Sequence, residues 1–503
     1  MMSNKWLILA LIILMYLPVS IDATVLHVAI PTLSLELESS ANELLWIIDI
    51  YSLIMAGLLL PMGALGDRLG YKKLAILGLI IFGFASISAA LAPTSLMLII
   101  ARAFLAIGAA MILPATLAGV RKTFLNDEER AVALGIWTTV GVGGAAIGPL
   151  VGGYLLQHFY WGSVFLINIP IVVITIVAIL LVVPKQAQND QQKWEIGKAL
   201  VLITGILLLI YAIKSGLRAD SSFLIVLLIG ILGFVILFIF IRKELDSLSP
   251  MVDFRLLKQR VMAIGVVMAM TAMISIVGFE LLMAQELQFV HGKTPLQAGL
   301  FMLPLMLASG LGGPLAGWLV ARLGLRMVAT VGIGISALSF FGLSLCDFMR
   351  FPYLAWSLMI LLGLSIGTAL LASTAAIMSS APSDKSASAG AIEGMAYELG
   401  AGFGVVLFGV MLTIIFSNNI DIPAGISEEL AIQATNSINE ALLVASKLED
   451  QQILSNGLIM AAKEAFINAH VLVLATAGFL LTVLTFFVWR FLPVRIDPSI
   501  QNH

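Results

Sequence analysis

The chain has 503 residues, 60% of them hydrophobic and 11% charged, a mean hydropathy of +1.07 and a formal net charge of −2. About a quarter of the residues in soluble domains are charged, so this composition excludes a soluble globular protein. It fits an all-α protein that crosses a membrane many times, and nothing in it points to nucleic acid. The single cysteine, Cys346, excludes an internal disulfide and a cysteine metal cluster.

Apolar stretches of about 20 residues, long enough to cross a ~30 Å hydrocarbon core, fall near 6–30, 44–64, 74–92, 96–118, 133–157, 161–183, 197–214, 221–241, 262–286, 298–320, 327–346, 353–374, 389–416 and 466–491. They predict fourteen transmembrane helices. The first follows Lys5 as a secretory leader would. It is too long for one, however, and lacks a small-residue cleavage pattern before the polar segment 36–43, so it reads as a retained helix. It also carries Asp22. A carboxylate deep in a bilayer costs roughly 2.5–3.5 kcal/mol on insertion scales and marks a site facing a cavity or a partner.

Placing both termini in the cytoplasm puts Arg68, Lys72, Lys73, Arg121, Lys122, Arg242, Lys243 and most of the other basic residues in inside loops. Few, such as Lys293, Arg350 and Lys447, are left outside. Fourteen spans satisfy this positive-inside bias, and an odd number would invert its second half.

The segment Gly63-Ala-Leu-Gly-Asp-Arg-Leu-Gly-Tyr-Lys72 recurs as Gly317-Trp-Leu-Val-Ala-Arg-Leu-Gly-Leu-Arg326. Each copy ends the second helix of a six-helix set. The chain therefore reads as an N-terminal half at 1–183, a linker with two inserted helices at 184–260, and a C-terminal half at 261–503. Duplicated halves of this kind are the architecture of secondary transporters. Gln186, Gln188, Asn189, Asp190, Gln191 and Gln192 mark the polar linker. Residues 417–465 form a long outside loop in which Ser427 to Ala445 and Gln451 to Ala465 have helical apolar spacing. Two amphipathic helices packed as a gating cap fit this pattern, and so does a hairpin lying on lipid or in solvent.

In the 63–73 loop, Gly63, Asp67, Arg68 and Gly70 combine backbone freedom with charge. Glycines permit positive φ, and Asp67 can pair with an arginine or cap a helix N-terminus. A purely topogenic loop would explain the lysines but not this spacing. The fifth span carries Gly144, Gly148, Pro149, Gly152 and Gly153; small residues four apart allow close helix packing, and Pro149 permits a bend.

Arg102 is the one basic residue placed inside a span. At 1.5 Å per residue it lies about 9 Å below the outer surface, with Asp49 and Asp22 expected at similar depth. A static charge pair stapling helices fits these residues. So does a proton switch, in which an Asp holds its charge beside Arg and takes a proton once that partner is lost. In the second half Glu280, Glu286, Glu393 and Glu398 are membrane acids. Tyr397 shares Glu393's helix face, and Trp46 stands one turn from Asp49. Carboxylate plus aromatic is how proteins hold organic cations, although aromatics also gather at bilayer interfaces. The 22 methionines, Met283 among them, suit a deformable apolar pocket or simple packing.

The 63–73 loop resembles the signature of the major facilitator superfamily, and the fifth-span glycine-proline pattern resembles that of its drug/proton antiporters. Leu98-x-x-x-Arg102 is similar to the superfamily's helix-four motif, with Leu105 and Ala106 where Gln and Gly are usual. Ile21-Asp22-Ala-Thr-Val-Leu-His27-Val-Ala-Ile-Pro31 resembles the helix-one motif of the fourteen-helix branch, with His27 in place of Asn. Asn42 to Tyr51 and Gly278 to Leu287 look like the methyl viologen and quaternary ammonium efflux proteins of that branch, though the 298–320 span lacks the acid found in some of them.

This resemblance implies two pseudo-symmetric halves (six helices, two inserted, six) and a latch role for Gly63, Asp67, Arg68 and Gly70. The resemblance supports the proton switch, and the residue readings above make Asp22, Arg102, Asp49 and Glu398 the candidates for proton coupling and Asp22, Trp46, Asp49, Glu280, Met283, Glu393 and Tyr397 those for substrate contact. The expected activity is proton-driven export of lipophilic cations, including viologens, quaternary ammonium compounds, cationic dyes and antiseptics. The protein is expected to act as a monomer in a bacterial inner membrane, with the proton motive force and no cofactor. A proton-coupled nutrient transporter of the same fold is the alternative. An enzyme or metal protein is not expected, because His27, His158, His291, His470 and His503 show no ligand spacing.

Overall fold

In the computed structural model the described residues are 2–184, 196–216, 222–247, 250–380, 386–448 and 451–492, without the side chains at 2–4, 67, 127, 131, 138, 142, 321, 386 and 387. The polar linker from Gln186 to Gln192 and the Asp67 side chain thus lie outside them. Among the described residues all regular structure is helical, and fourteen helices are long and apolar enough to cross a membrane.

In chain order the helices begin with α1 Met2–Glu36, α2 Ala41–Leu69, α3 Tyr71–Ala90, α4 Ser95–Thr123 and α5 Asp127–His158. They continue with α6 Ser163–Leu166, α7 Asn168–Val182, α8 Ile196–Ser215, α9 Phe223–Asp246 and α10 Arg260–Gln285. The last are α11 Pro295–Leu323, α12 Leu325–Ser344, α13 Pro352–Ser380, α14 Ser386–Asn419, α15 Glu428–Thr435, α16 Ile438–Lys447 and α17 Gln452–Phe491. A π-helical turn, Glu286–Val290, extends α10. The helix starts follow local chemistry. Thr94 accepts from Met97 N, Asn126 accepts from Glu128 N and Glu129 N, and Thr294 with Gln297 forms a capping box ahead of Pro295.

The chain divides into two compact units. The first takes α1 to Leu26, α2 from Ile50, and the helices through α9. The second takes His27–Asp49 and the chain from Leu256 onward. Within the first unit α3 and α4 nearly touch, since a Cβ on Gly108 would lie 2.8 Å from Phe82 N. Inserted helix α8 seats Ile203 against Gly57 of α2, where a Cβ would meet its Cγ1 at 2.3 Å. Glu244 of α9 joins Lys198 of α8 at 3.0 Å and accepts from Val252 N. Within the second unit α11 and α13 are pressed together, with Cβ positions on Gly363 and Gly367 only 2.2 Å from Leu305 O and Ser309 O. Without a strong hydrophobic drive between helices in lipid, such close backbone packing carries the association.

The sequence repeat has a backbone counterpart. Gly70 and Gly324 occupy matching places, between α2 and α3 and between α11 and α12, with φ of 82° and 80°. Only glycine adopts that conformation without strain. Lys72, just beyond Gly70, donates to Val183 O and so closes the C-terminus of α7.

The described residues of the 417–465 loop differ in detail from the two-helix expectation. Ser437, extended at φ −171°, accepts from Glu440 N and divides the first amphipathic stretch into α15 and α16. The second, from Gln451, has no breaker strong enough to separate it from the last span, and the two form the single 40-residue α17. Helix α16 buries Ile438, Ala441, Val444 and Ala445. Its Asn439 donates to Ser39 O at 3.0 Å, and its Glu440 accepts from Ala41 N at 3.2 Å, capping α2. These contacts describe a packed cap rather than a solvated hairpin.

Glycine-to-alanine changes should separate packing from helix propensity. Gly363→Ala should lower the midpoint of thermal unfolding, because overpacking of this kind costs about 1–3 kcal/mol. Gly334→Ala, with Thr485 Cγ2 the nearest atom at 3.5 Å, should hold or raise it. Equal midpoints would contradict the close α11–α13 contact.

Candidate functional site

In the first unit Asp22 of α1 and Arg102 of α4 form a buried ion pair through Oδ2 and Nη1, each residue 1% exposed. The Arg102 guanidinium lies over the Tyr51 ring of α2, 4.5 Å from its centroid, within the range of cation–π attraction. Asp22 Oδ1 is buried and has no hydrogen-bond partner among the described residues. The carboxylate thus has one oxygen committed to arginine and one able to carry a proton.

The fifth-span glycines set this geometry. A Cβ on Gly144 would lie 2.0 Å from Ser20 Oγ, and one on Gly148 would lie 2.2 Å from Thr24 Oγ1 and 3.0 Å from Ile21 O. Thr24 donates to Ala145 O at 2.8 Å. Helix α5 is therefore pressed onto α1 on either side of Asp22. Pro149, Gly152 and Gly153 are buried farther along α5.

In the second unit His27 Nδ1 lies 3.0 Å from Glu280 Oε2, with both side chains buried. The two residues that stood out separately in sequence, a histidine in the place of an expected asparagine and an isolated membrane acid, face each other. Glu280 is held on a helix packed closely by α14: a Cβ on Gly404 would fall 2.8 Å from Ile274 O. Met283 is fully buried on the same helix.

Glu393 and Tyr397 of α14 share a face as their spacing predicts, but the ring is not the contact. Tyr397 donates its hydroxyl to Glu393 Oε1 at 2.7 Å. Thr374 of α13 donates to the same oxygen and lies 2.9 Å from Tyr397 Oη. No sequence signal singled out Thr374. Asp49 is buried on α2, Trp46 is half-buried one turn before it, and Glu398 is half-buried on α14.

Glu286, at the start of the π turn, is bound by two histidines: His470 of α17 and His291, the latter at 3.3 Å. The scattered histidines of the sequence are thus in part gathered by folding. Among the described residues no group of acids, histidines and cysteine is arranged to hold a metal.

The family model for the Major Facilitator Superfamily matches residues 12–405. The chain is 54% identical over 488 residues to the methyl viologen resistance protein SmvA of Salmonella typhimurium, covering 97% of this chain and 98% of that one. It is 33% identical to the multidrug efflux pump LfrA of Mycolicibacterium smegmatis, over 95% of each chain. Among solved structures, a bacterial homolog of the human lysosomal transporter Spinster aligns over 98% of this chain and 99% of that one, with a TM-score of 0.70 at 17% identity. At that identity the likeness speaks for the fold alone.

A buried pair is most costly when broken on one side, by about 3–5 kcal/mol. Arg102→Ala should therefore lower the thermal midpoint more than the double change Asp22→Asn with Arg102→Gln. A double variant less stable than Arg102→Ala would contradict the pairing.

Proposed function

Because the chain belongs to the major facilitator superfamily and is a polytopic transporter rather than an enzyme, we propose that it is a proton-driven antiporter exporting lipophilic organic cations. Viologens, quaternary ammonium compounds and cationic dyes are its substrate class. It works as a monomer in the bacterial inner membrane with both termini cytoplasmic, powered by the proton motive force without a cofactor. The names of its relatives, a methyl viologen resistance protein and a multidrug efflux pump, support this reading.

One observation carries the division of labour. Asp22 faces Arg102 and Glu280 faces His27, whereas Glu393 is held by the hydroxyls of Thr374 and Tyr397. An acid already matched to a base has little to offer a second cation. A buried carboxylate held only by neutral donors keeps its attraction for one. Glu393 is accordingly the cation's carboxylate, with Tyr397 and Thr374 positioning it. Asp22 is the proton carrier, its free oxygen taking the proton and Arg102 balancing the ionised form. Glu393 stands seven residues into α14, about 10 Å from its start, a depth reached from the cytoplasmic side in this topology.

Transport follows from mutual exclusion. A cation at Glu393 favours the ionised form of Asp22, and a proton on Asp22 favours release of the cation outside. Each exported charge works against about 2.3 kcal/mol per 100 mV, which inward proton flow must supply.

Two measurements test this reading. In proteoliposomes with an imposed proton gradient, Glu393→Gln should weaken ethidium binding at least tenfold, while Asp22→Asn should bind it but fail to accumulate it. Parental accumulation by either variant overturns its assignment. For topology, Cys346 lies in the turn between α12 and α13, where burial and then the neighbouring Asp347 carboxylate push its thiol above the usual range. A membrane-impermeant maleimide should label it on intact cells, faster at pH 9 than at pH 7 as the thiolate fraction rises. Labelling only in inverted vesicles would reverse the orientation.

A further inference from the structure

The cluster of Glu286, His291 and His470 is not used by the cation and proton sites assigned above. It draws on three separate pieces of the second unit: the π turn after α10, the turn before α11, and α17. The side chains grade from the surface inward, His291 at 19% exposed, Glu286 at 7% and His470 at 3%. Phe348 lies edge-on to His470, ring centroids 5.6 Å apart, so the inner side is apolar. π-Helical turns recur at functional sites because they displace one side chain from the regular helix face. Here the turn begins on the acid itself.

The same turn is tied to α1. Gln288 donates to Val28 O at 3.1 Å, and the preceding residue, His27, pairs with Glu280. Glu280 stands six residues before Glu286 on α10, a rise of about 9 Å. Two acid–histidine groups thus follow one another along α10.

We propose that Glu286, His291 and His470 form the outer proton-entry relay of the transporter, delivering protons toward the Glu280–His27 pair. The proposal rests on the proton-antiport reading above. A proton taken up by His291 passes to Glu286, leaving His291 neutral and the carboxyl protonated. From there it moves inward toward Glu280, and Glu286 is again a carboxylate. His470 faces the other Glu286 oxygen and orients the carboxyl group.

The titratable groups that face Glu286 are His470 and His291. Lys293 lies in the same outer turn, its N–H donating to Leu287 O. Of the helices packed on this region, α11 carries no charged residue before Arg322 and α13 carries none. Helix α14 bears Glu393 and Glu398, and α17 bears Lys463 and Glu464 one to two turns from His470.

The alternative, a static staple between the π turn and α17, differs in what its loss would do. Net export needs a proton to enter on each cycle, whereas exchange of labelled for unlabelled ethidium at equal pH needs none. With the full-length protein in proteoliposomes, Glu286→Gln should reduce ethidium accumulation driven by a pH gradient at least tenfold and leave equal-pH exchange at the parental rate. His291→Gln, a change at the exposed end that spares the buried packing, should reduce driven accumulation and shift its dependence on outside pH. Equal loss of both activities, with a lower melting temperature, would identify a staple and overturn the proposal, as would parental driven accumulation in both variants. A parent protein that accumulates ethidium without responding to a pH gradient would instead fail the antiport reading itself.

Discussion

Every acid buried in the span of a membrane protein must be matched, because neither lipid nor packed side chains can solvate its charge. The chain meets this constraint in different ways at different acids. Asp22 is matched by an arginine that also lies over a tyrosine ring, Glu280 by a histidine, Glu286 by two histidines, and Glu393 by two hydroxyls. The type of partner decides what each acid can do. Pairing with arginine, which stays charged, makes protonation of the acid a change in net charge. Pairing with histidine gives a group whose own proton is exchangeable near neutral pH. Hydroxyl partners orient a carboxylate without neutralising it.

Helix α1 connects these chemistries. Asp22 and His27 are five residues apart, about 140° around the helix and ~7.5 Å along it. They sit on either side of the point where the chain passes from the first compact unit to the second. The glycines of α5 hold the part of α1 around Asp22 at backbone distance. The segment beyond His27 is held by Glu280, by Gln288 through Val28 O, and by the cap through Ser39 O. One helix thus contributes buried, partnered residues to each of the two units.

Local and repetitive features were legible in the sequence. Hydropathy located the spans, and the repeated Gly63–Lys72 segment announced the matching positive-φ turns at Gly70 and Gly324. Depth counting along two helices brought Asp22 to Arg102, and i, i+4 spacing brought Tyr397 to Glu393. Pairs far apart in the chain and set by helix rotation were not legible. Nothing local to His27 names Glu280, nothing local to Glu286 names His470, and Thr374 is one threonine among many until α13 meets α14. The cap was anticipated as helices, but its hold on the α1–α2 turn depends on Asn439 and Glu440, which carry no sequence signature for it.

The central claim is that proton and cation occupy different acids and exclude one another. Its most direct test is the number of protons released when saturating ethidium is added to the detergent-purified protein in weakly buffered solution. The account predicts release from the parent protein and none from Asp22→Asn, which still binds the dye. Undiminished proton release from Asp22→Asn would contradict it.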